Sequence, residues 1–403
     1  MTHQSEGGTP PGITPKDPAY RRMLFAVLLA GLASFQALYY TQALLPTFHE
    51  ELGINPATAA LTVSAATGAL ALAVVPVSIL SERFGRREVI VVSAIAATAL
   101  TFAVAAAPGA LSLVGLRFAQ GVLIAGVPAV AMTYVSEEVD SEYIPKVMGI
   151  YISGTTVGGL LGRIISSSVV DFTSWRWATV ATGVVSLGCA IGVWLLLPQQ
   201  RRFVAKNITG ASEFTALTNH LRDPRLLGLY ALGFLFMGAF VSLYNYLGFR
   251  LADDFGLSPA IAGFVFLLYL AGTWSSARAG TWANALGRRR IIALSSLAAC
   301  GGLILVGLPN LVAVIIGVAV FTAAFFVAHS VASSAVGMVA ERDRAEASSM
   351  YLFAYYAGSS IVGWFSGAVF GHFGWMALEV WLGILAIVAG IAATYGLRGE
   401  SEK

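Results

Sequence analysis

Twelve stretches of this chain are each about twenty residues long and almost free of charge: 23–46, 57–80, 88–107, 110–134, 146–170, 177–197, 226–250, 259–282, 290–308, 311–339, 347–370 and 374–397. A helix of about 20 apolar residues is what crosses a bilayer. Only 11% of the residues are charged, against about 25% in a soluble domain, so one water-facing core cannot absorb the apolar excess. In hydrocarbon each backbone group must be satisfied within its own segment or a closed barrel, and runs of this length read as helices. The expected class is an all-α membrane protein with lipid as its main surroundings. The net charge is +3, and the basic residues fall in short loop clusters. That leaves no basic stripe for nucleic acid. Cys189 and Cys300 sit inside apolar runs and read as packing residues. The first apolar run is too long for a cleavable leader.

The chain repeats itself. Gly53-Ile-Asn-Pro-Ala57 returns as Gly256-Leu-Ser-Pro-Ala260, 203 residues later. Gly85-Arg-Arg87 returns as Gly287-Arg-Arg289, 202 later, and Gly154-Thr-Thr156 as Gly358-Ser-Ser360, 204 later. Asp171-Phe172 is echoed by His372-Phe373, 201 later. Four ordered matches near one offset indicate a duplicated six-helix unit. The expected layout is a tail 1–22, a bundle 23–197, a linker 198–225, a second bundle 226–397 and a tail 398–403. Asn55 and Ser258 suit helix N-caps, each followed by proline at the first helical position. With the N-terminus inside, inner segments hold 20 of the 24 Lys and Arg. Arg176 and Arg250 fall in outer loops, and Arg117 and Arg163 lie within spans. The positive-inside rule then places both termini in the cytoplasm.

Several segments resemble the major facilitator superfamily. After the second span comes Ser78-Ile-Leu-Ser-Glu82-Arg83-Phe-Gly85-Arg86-Arg87, similar to that family's G-x-L-a-D-r-x-G-r-r loop, with Ser78 for Gly and Glu82 for Asp. The second copy, Gly280-Thr-Trp-Ala-Asn284-Ala-Leu-Gly287-Arg288-Arg289, lacks the acid and the first Arg. Arg117-Phe-Ala-Gln120-Gly121 resembles the R-x-x-Q-G element of proton-coupled members. Gly154-x-x-x-Gly158-Gly159-x-x-Gly162-Arg163 resembles the antiporter signature G-x-x-x-G-P-x-x-G-G, with Gly159 for Pro and Arg163 for the last Gly. Within the superfamily the chain looks most like the bacterial YnfM-like branch of 12-helix drug:proton antiporters, often labelled arabinose-efflux permeases. The resemblance implies two six-helix bundles about a pseudo-twofold axis, with spans 1, 4, 7 and 10 lining one cavity. It also implies a multi-pass protein of the bacterial inner membrane that works as a monomer.

The resemblance makes Glu82, Arg83, Gly85, Arg86 and Arg87 a latch between the halves; simple anchoring at the inner membrane face is the other reading. Arg117 and Gln120 share one helix face. An arginine inside a span costs at least about 2.5 kcal/mol unless it faces protein or water. Arg117 therefore either tunes a protonatable group or substrate, or donates to backbone carbonyls. Its removal is expected to abolish proton-driven transport and to leave the fold intact. Arg163 either serves function or snorkels outward, or pairs with Asp171. Gly154, Gly158, Gly159 and Gly162 form a small-residue stripe, read as a sealing element and as close packing. The cavity residues by resemblance and repeat are Gln36, Tyr39, Tyr40 and Gln42 in the first span and Tyr244 and Asn245 in the seventh. His329 is the histidine at membrane depth and is weighed as a proton carrier. No Asp or Glu lies clearly mid-span.

The implied function is secondary transport, with protons entering as a small drug-like or sugar-like solute leaves. Uptake of a small organic anion, drawn by Arg117 and Arg163, is the alternative. The sequence has no Gly-Lys pair for a Walker A loop, no His-Glu-x-x-His and no Cys-x-x-Cys. An ATP-driven pump, a metalloenzyme or a cofactor site is therefore not expected.

Overall fold

A computed structural model of the protein describes residues 11–203, 220–340, 342 and 344–398. Parts of the expected tails (1–10 and 399–403) and of the linker (204–219) lie outside the described residues. Apart from an isolated bridge between Ile13 and Val139, the described secondary structure is helical. Ten spans are separate: Pro18–Leu52, Pro56–Phe84, Arg86–Ala105, Ala110–Glu138, Ile144–Val170, Trp175–Leu196, Pro224–Asp253, Pro259–Leu286, Arg288–Val306 and Leu311–Val339. The last run, Arg344–Gly396, holds two spans that meet at Gly374, whose φ of 79° and ψ of −172° are not helical. The count is thus twelve, in two bundles of six. They are called spans 1–12 below.

Local chemistry sets the starts. Asp17, Asn55 and Asp223 each accept a backbone N–H from the following turn, at 2.9, 2.7 and 2.8 Å, and each precedes a proline. Ser258 holds the corresponding N-cap position, but its hydroxyl donates to Asp171 at 3.2 Å in the other half. Gly85 and Gly287 join spans 2–3 and 8–9 with φ of 102° and 85°, a region in which a side chain would clash with its own backbone. The same strained joint at the same place in both bundles is the duplication seen in geometry.

Span 1 is not one helix. Its α-helical part ends at Tyr39, and a 3₁₀ stretch, Tyr40–Leu44, follows before the helix resumes at Leu45. Span 7, its counterpart, is α-helical throughout. Span 4 breaks between Ile124 and Gly126, where Pro128 removes the N–H that Ile124 would receive.

Spans 1 and 5 pack backbone to backbone. A Cβ on Gly158 or Gly162 would lie 2.5 Å from Leu32 O or 2.9 Å from Gln36 O, and one on Gly154 would collide with Leu28 O. Gly358 meets Phe234 O in the same way between spans 11 and 7. Hence three of the four glycines in the stripe serve helix contact. Gly159 points elsewhere, towards Arg163 and Tyr39.

The bundle has two unlike ends. One, here called the basic end, carries residues 11–17, 83–87 and 198–203. The halves are joined towards the far end. Gly367 lies against Ala57, Gly263 against Ser167, and Ser360 donates to Ser64 O at 2.7 Å. Spans 2 and 11 touch at Gly68 and Ser360, beside an apolar groove of about 280 Å³ lined by Leu72, Phe118, Phe353 and Ala357.

Candidate functional site

Arg117 is fully buried and surrounded by acceptors. It donates to Thr62 O and Ala37 O at 2.7 Å each, and also to Leu38 O and the Gln120 side chain. Its guanidinium stands 5.0 Å from the Tyr40 ring centroid. The geometry follows from span 1. A helix that stops at Tyr39 leaves its last carbonyls without intrahelical partners, and Arg117 fills that gap from span 4. Gln120 extends the brace, donating to Ala97 O at 2.9 Å and Thr101 Oγ1 at 2.7 Å in span 3. Four helices are thereby tied at membrane depth by one arginine and one amide.

Arg163 is also buried, at 3% exposure, but its surroundings differ. Nε donates to Gln42 Oε1 at 2.7 Å, Nη1 to Gly159 O at 2.7 Å and Nη2 to the Tyr269 hydroxyl at 3.2 Å. The rings of Tyr39, Tyr269 and Phe266 stand 4.4, 4.8 and 5.1 Å from its guanidinium carbon. Gln42 in turn donates to Asn245 Oδ1 at 2.7 Å. Arg163–Gln42–Asn245 is therefore a polar bridge from one bundle to the other. The Asn245 amide nitrogen is buried and without a partner. Tyr244 hydrogen-bonds Thr322 at 2.8 Å and stacks on Phe266, 5.6 Å centroid to centroid. A cavity of about 230 Å³ opens beside the bridge, lined by Gln42, Tyr244, Phe266, Gly248 and Pro259, with Glu50 on its rim.

The other expected site residues fall apart from this group. Gln36 turns to span 6 and donates to Thr182 O at 3.0 Å. His329 sits 3.0 Å from the Tyr351 hydroxyl, stacked on Phe325 and tilted against Tyr355. At the basic end Arg86 pairs with Glu137 at 2.9 Å and Glu82 at 3.3 Å, and with Ser81 at 2.5 Å. Arg87 caps the end of span 6, donating to Leu197 O at 2.9 Å and Trp194 O at 3.1 Å. Arg83 lies against Phe84. The latch residues thus take partners from their own half. Glu138 accepts the backbone N–H groups of Arg201 and Arg202 at 2.9 and 3.0 Å. The Arg201 guanidinium, hydrogen-bonded to Asp17 at 2.5 Å, and then the Ala19 N–H hold the Asp17 carboxyl below its ordinary value.

Sequence reasoning did not find Tyr269, Phe266, Thr322 or Tyr351. All lie in apolar runs, where an aromatic or a threonine is ordinary packing. The repeat offset points from Thr322 back to Ala119, between Arg117 and Gln120, and that was the available signal. Arg250 is buried inside the last turn of span 7, not in a loop. It donates to Leu308 O at 3.1 Å and to Val306 O, and pairs with Glu379 at 3.3 Å. Arg176 does the same for the first half, donating to Ala105 O and Ala107 O at 2.7 and 2.8 Å. Each bundle thus caps its third helix with an arginine, taken from a different span.

A family model described as Major Facilitator Superfamily matches residues 27–273 and 250–403. The chain is 37% identical over 378 residues to the inner membrane transport protein YnfM of Escherichia coli (strain K12), covering 94% of this chain and 91% of that one. It is 35% identical over 374 residues to the uncharacterized MFS-type transporter YybF of Bacillus subtilis (strain 168), covering 92% of each. A bacterial homologue of the human lysosomal transporter Spinster, solved in an inward-facing and occupied conformation, superposes with a TM-score of 0.76 at 16% identity, covering 94% of this chain and 97% of that one.

Proposed function

The chain belongs to the major facilitator superfamily and is a multi-pass membrane transporter, and from that premise we propose that it exports a small drug-like or sugar-like solute across a bacterial inner membrane in exchange for protons. The single observation that carries the mechanism is the asymmetry of contact between the bundles. They meet towards the far end, at Gln42–Asn245, Ser64–Ser360 and Asp171–Ser258, whereas the latch residues at the basic end take partners from their own half. On the positive-inside rule the basic end is read as cytoplasmic, and on that reading the contacts fit a cytoplasm-open state of an alternating-access cycle. The inward-facing conformation of the superposed structure supports the same reading.

The far seal suits a cycle. Its three named hydrogen bonds carry a net worth of about 0.5–1.5 kcal/mol each, and none is a buried ion pair. Moving a two-state equilibrium from 1:99 to 99:1 takes about 5.5 kcal/mol, within reach of substrate binding or a protonation. In the opposite state the Glu82–Arg86–Glu137 cluster closes against the second bundle, its latch role. Proton coupling and the outward direction rest on the likeness of Arg117–Gly121 and Gly154–Arg163 to the proton-coupled and antiporter elements.

The test is counterflow in proteoliposomes, with a panel of drugs, sugars and organic anions, with and without an imposed pH gradient. Accumulation of at least one solute, accelerated by proton entry from the opposite side, is the expected result. Counterflow that no pH gradient changes would remove the protons; no counterflow with any class would remove the carrier reading.

A further inference from the structure

Two arginines are buried at membrane depth, and only one has its donors met by a closed set of fixed acceptors. Arg117 faces three backbone carbonyls, a glutamine oxygen and a ring. Arg163 gives one N–H each to an amide side chain, a backbone carbonyl and a phenol. A guanidinium has five N–H donors, so part of its donor set is unanswered, and its charge is met by ring faces and neutral acceptors alone. Among the described residues no carboxylate stands at ion-pair distance from it. Asp171, the acid the sequence offered it, is engaged with Ser258 instead. The bridge beyond Gln42 is itself incompletely paired, since the Asn245 amide nitrogen is buried at 1% exposure and faces Gly363 without a hydrogen-bond partner. Gln42, the amide that holds Arg163, and Phe266, one of the rings against its guanidinium, line the cavity next to it.

We infer that Arg163 is the anion-recognition residue of the transport site, and that the substrate is a small organic carboxylate with a flat apolar body. This rests on the transporter reading and narrows its drug-like solute to a carboxylate, setting the sugar-like one aside. The carboxylate displaces the Gln42 amide oxygen from Nε of Arg163, because an acceptor with full negative charge makes a shorter and stronger bond than a neutral amide. Its second oxygen takes an N–H from the Nη side of the same guanidinium, the paired geometry in which arginine holds carboxylates. The body of the molecule lies in the cavity, against the rings of Phe266 and Tyr244. Glu50 on the rim is exposed, so water and salt screen its repulsion. Gln42, once released from Arg163, is held only by its bond to Asn245, so seating the anion loosens the far seal.

The experiment is thermal unfolding of the detergent-purified full chain with sodium benzoate, benzamide or benzylammonium chloride, which share a ring and differ in charge. Saturating benzoate raises the unfolding midpoint by at least about 2 °C, and the neutral and cationic analogues do not. Arg163→Gln weakens the apparent benzoate affinity at least about tenfold. Gln42→Glu places a carboxylate on Arg163 from within; it raises the midpoint of the free protein and abolishes the benzoate response, which keeps the test sharp where Arg163→Gln folds poorly. No response of the wild type to benzoate, an equal response to benzamide or benzylammonium, or an undiminished response in Gln42→Glu or in folded Arg163→Gln overturns the inference. The assay needs no gradient. Failed binding with intact counterflow of other solutes sinks only the anion site, whereas benzoate binding without any counterflow sinks only the transport reading.

Discussion

Spans 1 and 7 hold equivalent places in the repeat, and they are built differently. Span 7 runs as an α-helix from Pro224 to Asp253, with Tyr244 held by a neutral bond to Thr322. Span 1 gives up its helix at Tyr39, and the loose carbonyls are gathered by Arg117. The same contrast runs through the bundles. The first is braced by a buried arginine and, at the basic end, by the Arg86–Glu137 and Arg201–Asp17 pairs. The second copy of that loop has lost its acid, and its bundle interior is dominated by rings, such as Phe240 stacked on Phe325 at 4.1 Å. Duplication kept the backbone joints and the third-helix caps. It left the deep arginine brace and the Arg86–Glu137 loop pair to the first half, and the second keeps its buried ion pair, Arg250–Glu379, at the far end.

The largest effect that tests this contrast is Arg117→Ala. The substitution leaves the Ala37, Leu38 and Thr62 carbonyls and the Gln120 oxygen without their donor. Each orphaned buried group costs about 1–3 kcal/mol, which outweighs the relief of removing one desolvated cation. The structure therefore reverses the expectation from sequence that the fold survives this change. Thermal unfolding should show a loss of about 3–5 kcal/mol, the range for breaking a buried charged set, with Arg117→Lys intermediate because a point charge cannot span three carbonyls. An unfolding midpoint equal to wild type would return Arg117 to a purely functional role.

The matching change in the second half is smaller. Thr322→Val removes the partner of Tyr244 without changing shape, and about 1 kcal/mol is expected, read in the same unfolding assay. A loss as large as that of Arg117→Ala would erase the contrast between the bundles.

The smallest effect is at the basic end. The Asp17 carboxyl is held below its ordinary value of 3.8, first by the Arg201 hydrogen bond. A group depressed in the folded state stabilises above its unfolded value, and the contribution is lost as pH falls through the lower folded one. Wild-type stability should therefore decline below about pH 4 more steeply than that of Asp17→Asn, by under about 1 kcal/mol for an exposed pair. Parallel pH profiles would mean that the pair contributes nothing.

What the sequence made legible was set by lipid. Twelve apolar runs, the 202–204-residue echoes and the basic loops follow from requirements that act on every residue. Arg117, Gln120 and Arg163 announced themselves as charged or amide groups where such groups are costly. Their partners did not. Pro46, which removes the N–H that Gln42 would receive, was the available signal for the break after Tyr39, but it did not tell that Ala37 and Leu38 would take their donors from Arg117. Arg163 meets Tyr269 and, through Gln42, Asn245 only once two bundles are docked, and no local pattern encodes that pairing. Arg250 looked like a loop residue because the helix end was drawn three residues short of Asp253.

The central claim is that the bundles rock, closed at the far end when open at the basic end. Its most direct test is distance measurement between spin labels in reconstituted protein, with Cys189 and Cys300 replaced. One pair, at Glu51 and Asp253, spans the far end; the other, at Arg83 and Arg278, spans the basic end, and all four positions are exposed. The account predicts two populations at each end, with the far pair short when the basic pair is long, and weights that shift in opposite directions as pH is lowered. Distances at the two ends that lengthen together, or one fixed population at both ends at every pH, would contradict it.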